Sequence, residues 1–100
     1  MMSEADKKGY WVAQVEIADL EGYRKYIEAN AAAFEKYGAK FLVRGGQSVA
    51  PEEPTGDRQV VIEFASYEQA LACYHSPEYQ HAITFRQPVS RARLSIIEGV

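Results

Sequence analysis

The chain has 100 residues, 47% of them hydrophobic and 25% charged, with a net charge of −3. That length suits one domain, and scattered Lys and Arg on a net-negative chain exclude a nucleic-acid footprint. A single cysteine excludes an internal disulfide or a thiolate cluster. No early apolar run resembles a signal peptide and none approaches the ~20 residues that span a bilayer, so a cytoplasmic protein is expected.

Residues 1–8 are polar and aperiodic, which predicts a flexible tail and leaves 9–100 as a single domain. The run from Tyr10 to Ile17 predicts the first strand. Trp11, Ala13, Val15 and Ile17 make an apolar face, and Tyr10, Val12, Gln14 and Glu16 a mixed one. Asp19 is placed to cap a helix, and Leu20, Tyr23, Ile27, Ala31 and Phe34 recur at steps of three and four along it. Gly38 stands where a C-terminal cap belongs.

A hairpin follows, with strands over Lys40–Gly46 and Arg58–Phe64 divided by a polar loop rich in Pro and Gly. If the loop folds symmetrically, Arg44 falls opposite Glu63. Phe41 and Val43 then share an apolar face with Val60, Ile62 and Phe64, and Arg44 and Glu63 share the other. Gly45-Gly46 permits a bulge that would shift this register.

Ser66 begins a second helix with Gln69 three residues on, a capping-box spacing. Tyr67, Ala70, Leu71 and Tyr74 supply its apolar face. Ser76-Pro77-Glu78 reads as a fresh helix start, so the helix breaks near His75 and resumes through Tyr79, Ala82, Ile83 and Arg86. Pro88 ends it, and Ala92–Ile97 is the last strand.

The order is strand, helix, strand, strand, helix, strand. At this length it predicts a two-layer α+β fold, ferredoxin-like βαββαβ, with a four-stranded antiparallel sheet and two helices on one face. The other face carries Tyr10, Val12, Gln14, Leu42, Arg44, Val61, Glu63 and Ile97. It is too apolar for water and too polar for a plain core. Pairing with a second copy, in a dimeric α+β barrel, would resolve that conflict.

Four segments, Lys8-Gly9-Tyr10-Trp11, Phe41-Leu42-Val43-Arg44-Gly45-Gly46, Val61-Ile62-Glu63-Phe64 and Tyr74-His75-Ser76-Pro77-Glu78-Tyr79-Gln80, occur in that order before a closing Ile96-Ile97-Glu98-Gly99-Val100. Together they resemble the DUF1330 family, a domain of unknown function, from about Gly9 to the end. The resemblance implies a dimeric α+β barrel, in the broad superfamily of cofactor-free antibiotic-biosynthesis-type mono-oxygenases and muconolactone isomerase-like enzymes. It assigns no reaction, because one fold hosts many activities.

Two groups of side chains are chemical candidates. Arg44 could fix an anionic or carbonyl-bearing ligand while Glu63 serves as base or acceptor; the other reading is an ion pair that specifies the dimer. Tyr74, His75 and Tyr79 bracket the helix break and could line a mouth that moves protons; the other reading is rings packed in the core and an imidazole at a helix end. Glu63, Tyr74 and His75 are therefore the catalytic candidates, and Arg44, Gln14, Tyr10 and Tyr79 the ligand-binding ones. No metal site is expected, since His75 and His81 do not share a helix face. No cofactor is expected either.

The function this supports is a small-molecule-binding homodimer for an anionic or aromatic metabolite. If it is an enzyme, it is a cofactor-independent one of mono-oxygenase, isomerase or lyase type. The alternative is a structural or interaction dimer whose polar sheet residues only specify assembly.

Overall fold

The computed structural model describes residues 7–100, so most of the expected tail lies outside the described residues. The chain runs β1 (Gly9–Ile17), α1 (Leu20–Lys36), β2 (Lys40–Arg44), β3 (Arg58–Phe64), α2 (Tyr67–His75), α3 (Pro77–Arg86), a 3-10 turn (Gln87–Val89) and β4 (Ser90–Glu98). The strands form one antiparallel sheet in the order β2-β3-β1-β4. This is the expected ferredoxin-like arrangement, with the second helix divided into α2 and α3. All three helices cover one face.

The core lies between the layers. Trp11, Ala13 and Val15 of β1 and Val60, Ile62 and Phe64 of β3 point into it by strict alternation. On α1 the buried stripe is Tyr23, Tyr26, Asn30, Ala33 and Phe34. The expected stripe therefore turns about its axis: Leu20 is 53% exposed and Ala31 faces outward, while Asn30 faces in. Tyr26 and Asn30 offer the same helical spacing as Ile27 and Ala31, and the sheet beneath decides between the two sets.

The helix break depends on Ser76, which is buried. Its hydroxyl donates to the Cys73 carbonyl at 2.7 Å and accepts from the Tyr79 amide at 3.2 Å. One side chain thus closes α2 and caps α3, and Pro77 sits where its missing N–H costs nothing. Ser66 caps α2 through the Gln69 amide, but the Gln69 side chain reaches the Tyr37 carbonyl instead of closing a capping box. Beyond α1, Gly38 takes φ +67°, and the Ala39 amide returns to the Phe34 carbonyl at 2.9 Å.

The hairpin register differs from the symmetric one. Lys40 faces Glu63, Phe41 faces Ile62, Val43 faces Val61 and Arg44 faces Val60, with a bulge between Phe41 and Val43. Leu42 is the extra residue, so every side chain after it changes face. Val43 moves to the open side, and Arg44 joins Phe41 on the helix side. Arg44 and Glu63 therefore point to opposite faces and form no pair.

The loop provides a physical reason. Its end is fixed to β1, not folded on itself: the Asp57 amide bonds the Val15 carbonyl, and the Asp57 carboxylate accepts from the Ile17 amide at 3.0 Å. Gly56, at φ +91°, lies so close to the Val15 carbonyl that a Cβ there would clash.

Replacing Ser76 with Ala should cost about 1 kcal/mol, because it removes the cap on the Tyr79 amide and one of two donors to the Cys73 carbonyl, which keeps the Ser76 amide. Urea unfolding followed by far-UV circular dichroism measures it; a loss below about 0.5 kcal/mol would show that Ser76 does not hold the break.

Candidate functional site

The site is built on three arginines that the fold gathers between sheet and helices. Arg58 opens β3 with the same parity as Val60 and Ile62, so its side chain enters the helix-covered layer. Arg86 ends α3 and is 8% exposed. Arg44 arrives through the Leu42 bulge and lies exposed at the rim, its guanidinium 4.2 Å above the Phe41 ring centre. All three line one cavity with Tyr23, Tyr26 and Asn30 of α1, over a wall that includes Trp11, Phe34, Val60 and Leu94. Among the described residues no Asp or Glu lines it. Counting its open mouth, the hollow has about 500 Å³ of empty space, and the centre of a water-sized sphere can move through about 30 Å³ of it, room for about two waters.

Two buried donors in this layer lack an acceptor among the described residues: Nε of Arg58 and Nε of Arg86. Such orphans are uncommon in folded proteins and call for a specific explanation. The neighbouring rings supply part of the compensation. Arg86 lies over the Tyr26 ring at 5.5 Å and Arg58 over the Tyr23 ring at 5.8 Å. The Tyr26 and Tyr79 hydroxyls share a hydrogen bond of 2.8 Å beside them. Burial opposes the Arg86 charge, but the phenols of Tyr79, Tyr26 and Tyr23 outweigh it and raise its pKa. Burial, then Tyr26, pushes the Tyr79 phenol well up, with Arg86 pulling the other way. Gly45 serves the same site: at φ +68° it passes so close to Arg58 that a Cβ would lie 2.6 Å from Nη1.

The residues singled out from the sequence fall in three places. Arg44 reaches the cavity rim, and Tyr79, fully buried, lies behind Tyr26 with no access of its own. Tyr74 and His75 line a second, open cleft of about 460 Å³ between α2, α3 and β4, which shares Arg86, Ala92 and Leu94 with the first cavity. Tyr10, Gln14 and Glu63 are on the open sheet face. There the Tyr10 hydroxyl donates to Glu63 Oε2 at 3.2 Å, and half-burial, then the carboxylate, raises the Tyr10 phenol. The proposed acid–base trio of Glu63, Tyr74 and His75 is thus not gathered at one point. Arg58, Arg86, Asn30, Tyr23 and Tyr26 were not singled out as site residues from the sequence, where Tyr23 appeared only on the packing stripe of α1 and Arg86 only in the resumed helix; β3 parity alone could have placed Arg58 in the interior.

The family model described as domain of unknown function (DUF1330) matches residues 8–100. The chain belongs to this family. No curated protein matches it. Among solved structures, the DUF1330 chain is similar to the RPA0582 protein of unknown function from Rhodopseudomonas palustris. That match has 18% identity over 95% of this chain and 84% of the other, with a TM-score of 0.76. It is also similar to SnoaB, a cofactor-independent oxygenase from Streptomyces nogalater, at 11% identity over 91% of each chain and a TM-score of 0.61. A dimeric protein of unknown function with a ferredoxin-like fold from Bacteroides fragilis matches at 16% identity, over 91% of this chain and 95% of the other, with a TM-score of 0.62. At these identities the likeness establishes the fold alone. Among the described residues no helix is long and apolar enough to cross a membrane.

Cys73, fully buried on α2, has its thiol pushed up to about 12, first by burial and then by Glu78. The folded chain therefore keeps a proton that the unfolded chain releases near pH 9, so stability falls as pH rises from about 9 to about 12, by about 4 kcal/mol from this group. Tyr79 and Tyr23 act in the same direction above about pH 10. Urea unfolding at pH 8, 10 and 11 should show the decline, and Cys73→Ala should flatten it; equal slopes in the two proteins would refute the assignment.

Proposed function

We propose that this DUF1330 protein is a homodimer that binds a small anionic metabolite between its sheet and helices. The carrying observation is the uncompensated charge: three guanidiniums line one cavity, and no acid among the described residues lines it with them. Buried cations are ordinarily paired, since desolvating one costs several kcal/mol. An anion entering here supplies the missing acceptors and is drawn in by the positive field of the mouth. Arg44, exposed at the rim, meets the ligand first. Arg58 and Arg86 hold it further in, and Tyr26, whose hydroxyl is bonded to Tyr79 behind it, forms the polar floor. Tyr10, Gln14 and Glu63 serve assembly in this reading, and Tyr74 and His75 flank the second cleft.

The open face supports pairing with a second copy. It carries Val12, 36% exposed, and Ile97, 48% exposed, beside half-buried Val61 and the Tyr10–Glu63 hydrogen bond. The molecule measures 46 × 35 × 16 Å, so one whole broad side of a thin slab is left bare. Covering it with a twin sheet gives the dimeric α+β barrel.

Two experiments test this reading. In a thermal-shift panel, organic acids should raise the melting temperature while their neutral amides do not. Arg58→Gln should weaken the acids' apparent affinity about tenfold or more, the effect of losing about 1.4 kcal/mol from one charge-assisted contact. A panel in which no acid stabilises the protein would leave only the purely structural dimer.

Light scattering coupled to size exclusion should give a dimer for the wild type and a monomer for Val12→Asp, with unchanged far-UV dichroism. A monomeric wild type in dilute solution would refute the assembly.

A further inference from the structure

We infer that the open cleft between α2, α3 and β4 is a second binding site, and that it takes an aliphatic monocarboxylate lying along β4 with its acid on Arg86. This goes beyond the anion cavity proposed above and does not rest on it.

The cleft exists because the helix layer stops short of β4. Ala92, Leu94 and Ile96 face the helix side, paired across the sheet with Val15, Ala13 and Trp11 of β1. The β1 members are 8% exposed or less, whereas all three on β4 stay half-buried. Strand geometry spreads them over about 13 Å, and Ile83 of α3 lines the same cleft. An apolar strip left bare in a concave place marks a ligand groove. The room agrees. The centre of a water-sized sphere can move through about 460 Å³ here, against about 30 Å³ in the first cavity. Small-molecule sites commonly measure roughly 300–1,000 Å³.

The polar groups stand at the two ends of the strip. Ser90 opens β4 beside Ala92, and its hydroxyl donates to the Arg86 carbonyl at 2.8 Å, which puts Arg86 and Gln87 at that end. Trp11, the partner of Ile96, packs on Tyr74 with ring centres 5.7 Å apart, which puts Tyr74 and His75 at the other. Among the described residues no Asp or Glu lines the cleft, so Arg86 is its one permanent charge. Arg86 is more than nine-tenths buried, and its Nε has no acceptor among the described residues. It forms the wall shared by the two cavities, and the five N–H donors of a guanidinium suffice for partners on both sides. One buried cation at the end of an aliphatic strip matches one carboxylate at the end of a carbon chain. The far end of the chain then meets the Tyr74 ring, where His75 is exposed to solvent.

Isothermal titration with octanoate, octanamide and butyrate tests this on the wild type, Ile96→Asp and Arg58→Gln. Ile96 lines only the second cleft, and Arg58 only the first cavity. Octanoate should bind the wild type at least tenfold more tightly than octanamide, which lacks the charge, and than butyrate, which lacks most of the chain. Ile96→Asp should weaken octanoate at least tenfold, while Arg58→Gln changes it less than threefold. Gln87→Glu, an exposed position just beyond α3, provides the same reading should Ile96→Asp fail to fold. Octanoate that does not bind, or that the cleft variant leaves unweakened, refutes the second site. Weakening by Arg58→Gln instead would place the acid in the first cavity and leave the reading above standing. Octanamide binding equally would overturn the carboxylate, and butyrate binding equally would overturn the chain.

Discussion

Trp11 ties the two layers together. Its indole N–H donates to the Ala70 carbonyl of α2 at 2.9 Å. Its ring meets Phe34 of α1, Phe64 of β3 and Tyr79 of α3 with centres 4.8–5.4 Å apart. One side chain on a central strand thus touches all three helices and the neighbouring strand. Its size supplies much burial, and its single polar atom is satisfied, which is what an aromatic with a polar handle requires inside a protein. Trp11 holds α2 through Ala70 and packs on the first turn of α3 through Tyr79, the helix whose last residue is Arg86.

The interior is consequently of two kinds. Around Trp11 it is close-packed and apolar. Towards Arg58 and Arg86 it becomes polar without becoming acidic. Ring faces and phenols, not carboxylates, surround the inner arginines, and for Arg86 the phenols outweigh burial and favour the charged form.

The two faces of the sheet differ. Its helix side lines the cavity, and its open side carries a mixture of apolar and polar side chains. The Leu42 bulge is what allows one strand to serve both, since it sends Val43 outward and Arg44 inward one residue apart. Sheet-edge bulges commonly re-aim a side chain in this way, and β2 is an edge strand.

The fold could be read from the chain before any coordinates because its signals are local. Period-two alternation marked Trp11, Ala13 and Val15 as core. Ser76-Pro77 marked the helix break, and the element order at this length left one economical two-layer solution. The family resemblance agreed with it. The site was only partly readable, because it depends on non-local choices. Arg44 was singled out, yet its face was set by a bulge, and the bulge by a loop that Asp57 ties to β1. The inward face of α1 depended on which of two equivalent stripes the sheet accepted, so Tyr26 and Asn30 escaped notice. Arg58 and Arg86 lie 28 residues apart in the chain, and only packing brought them to one cavity. Local pattern decides which elements form; register and long-range packing decide which charges meet.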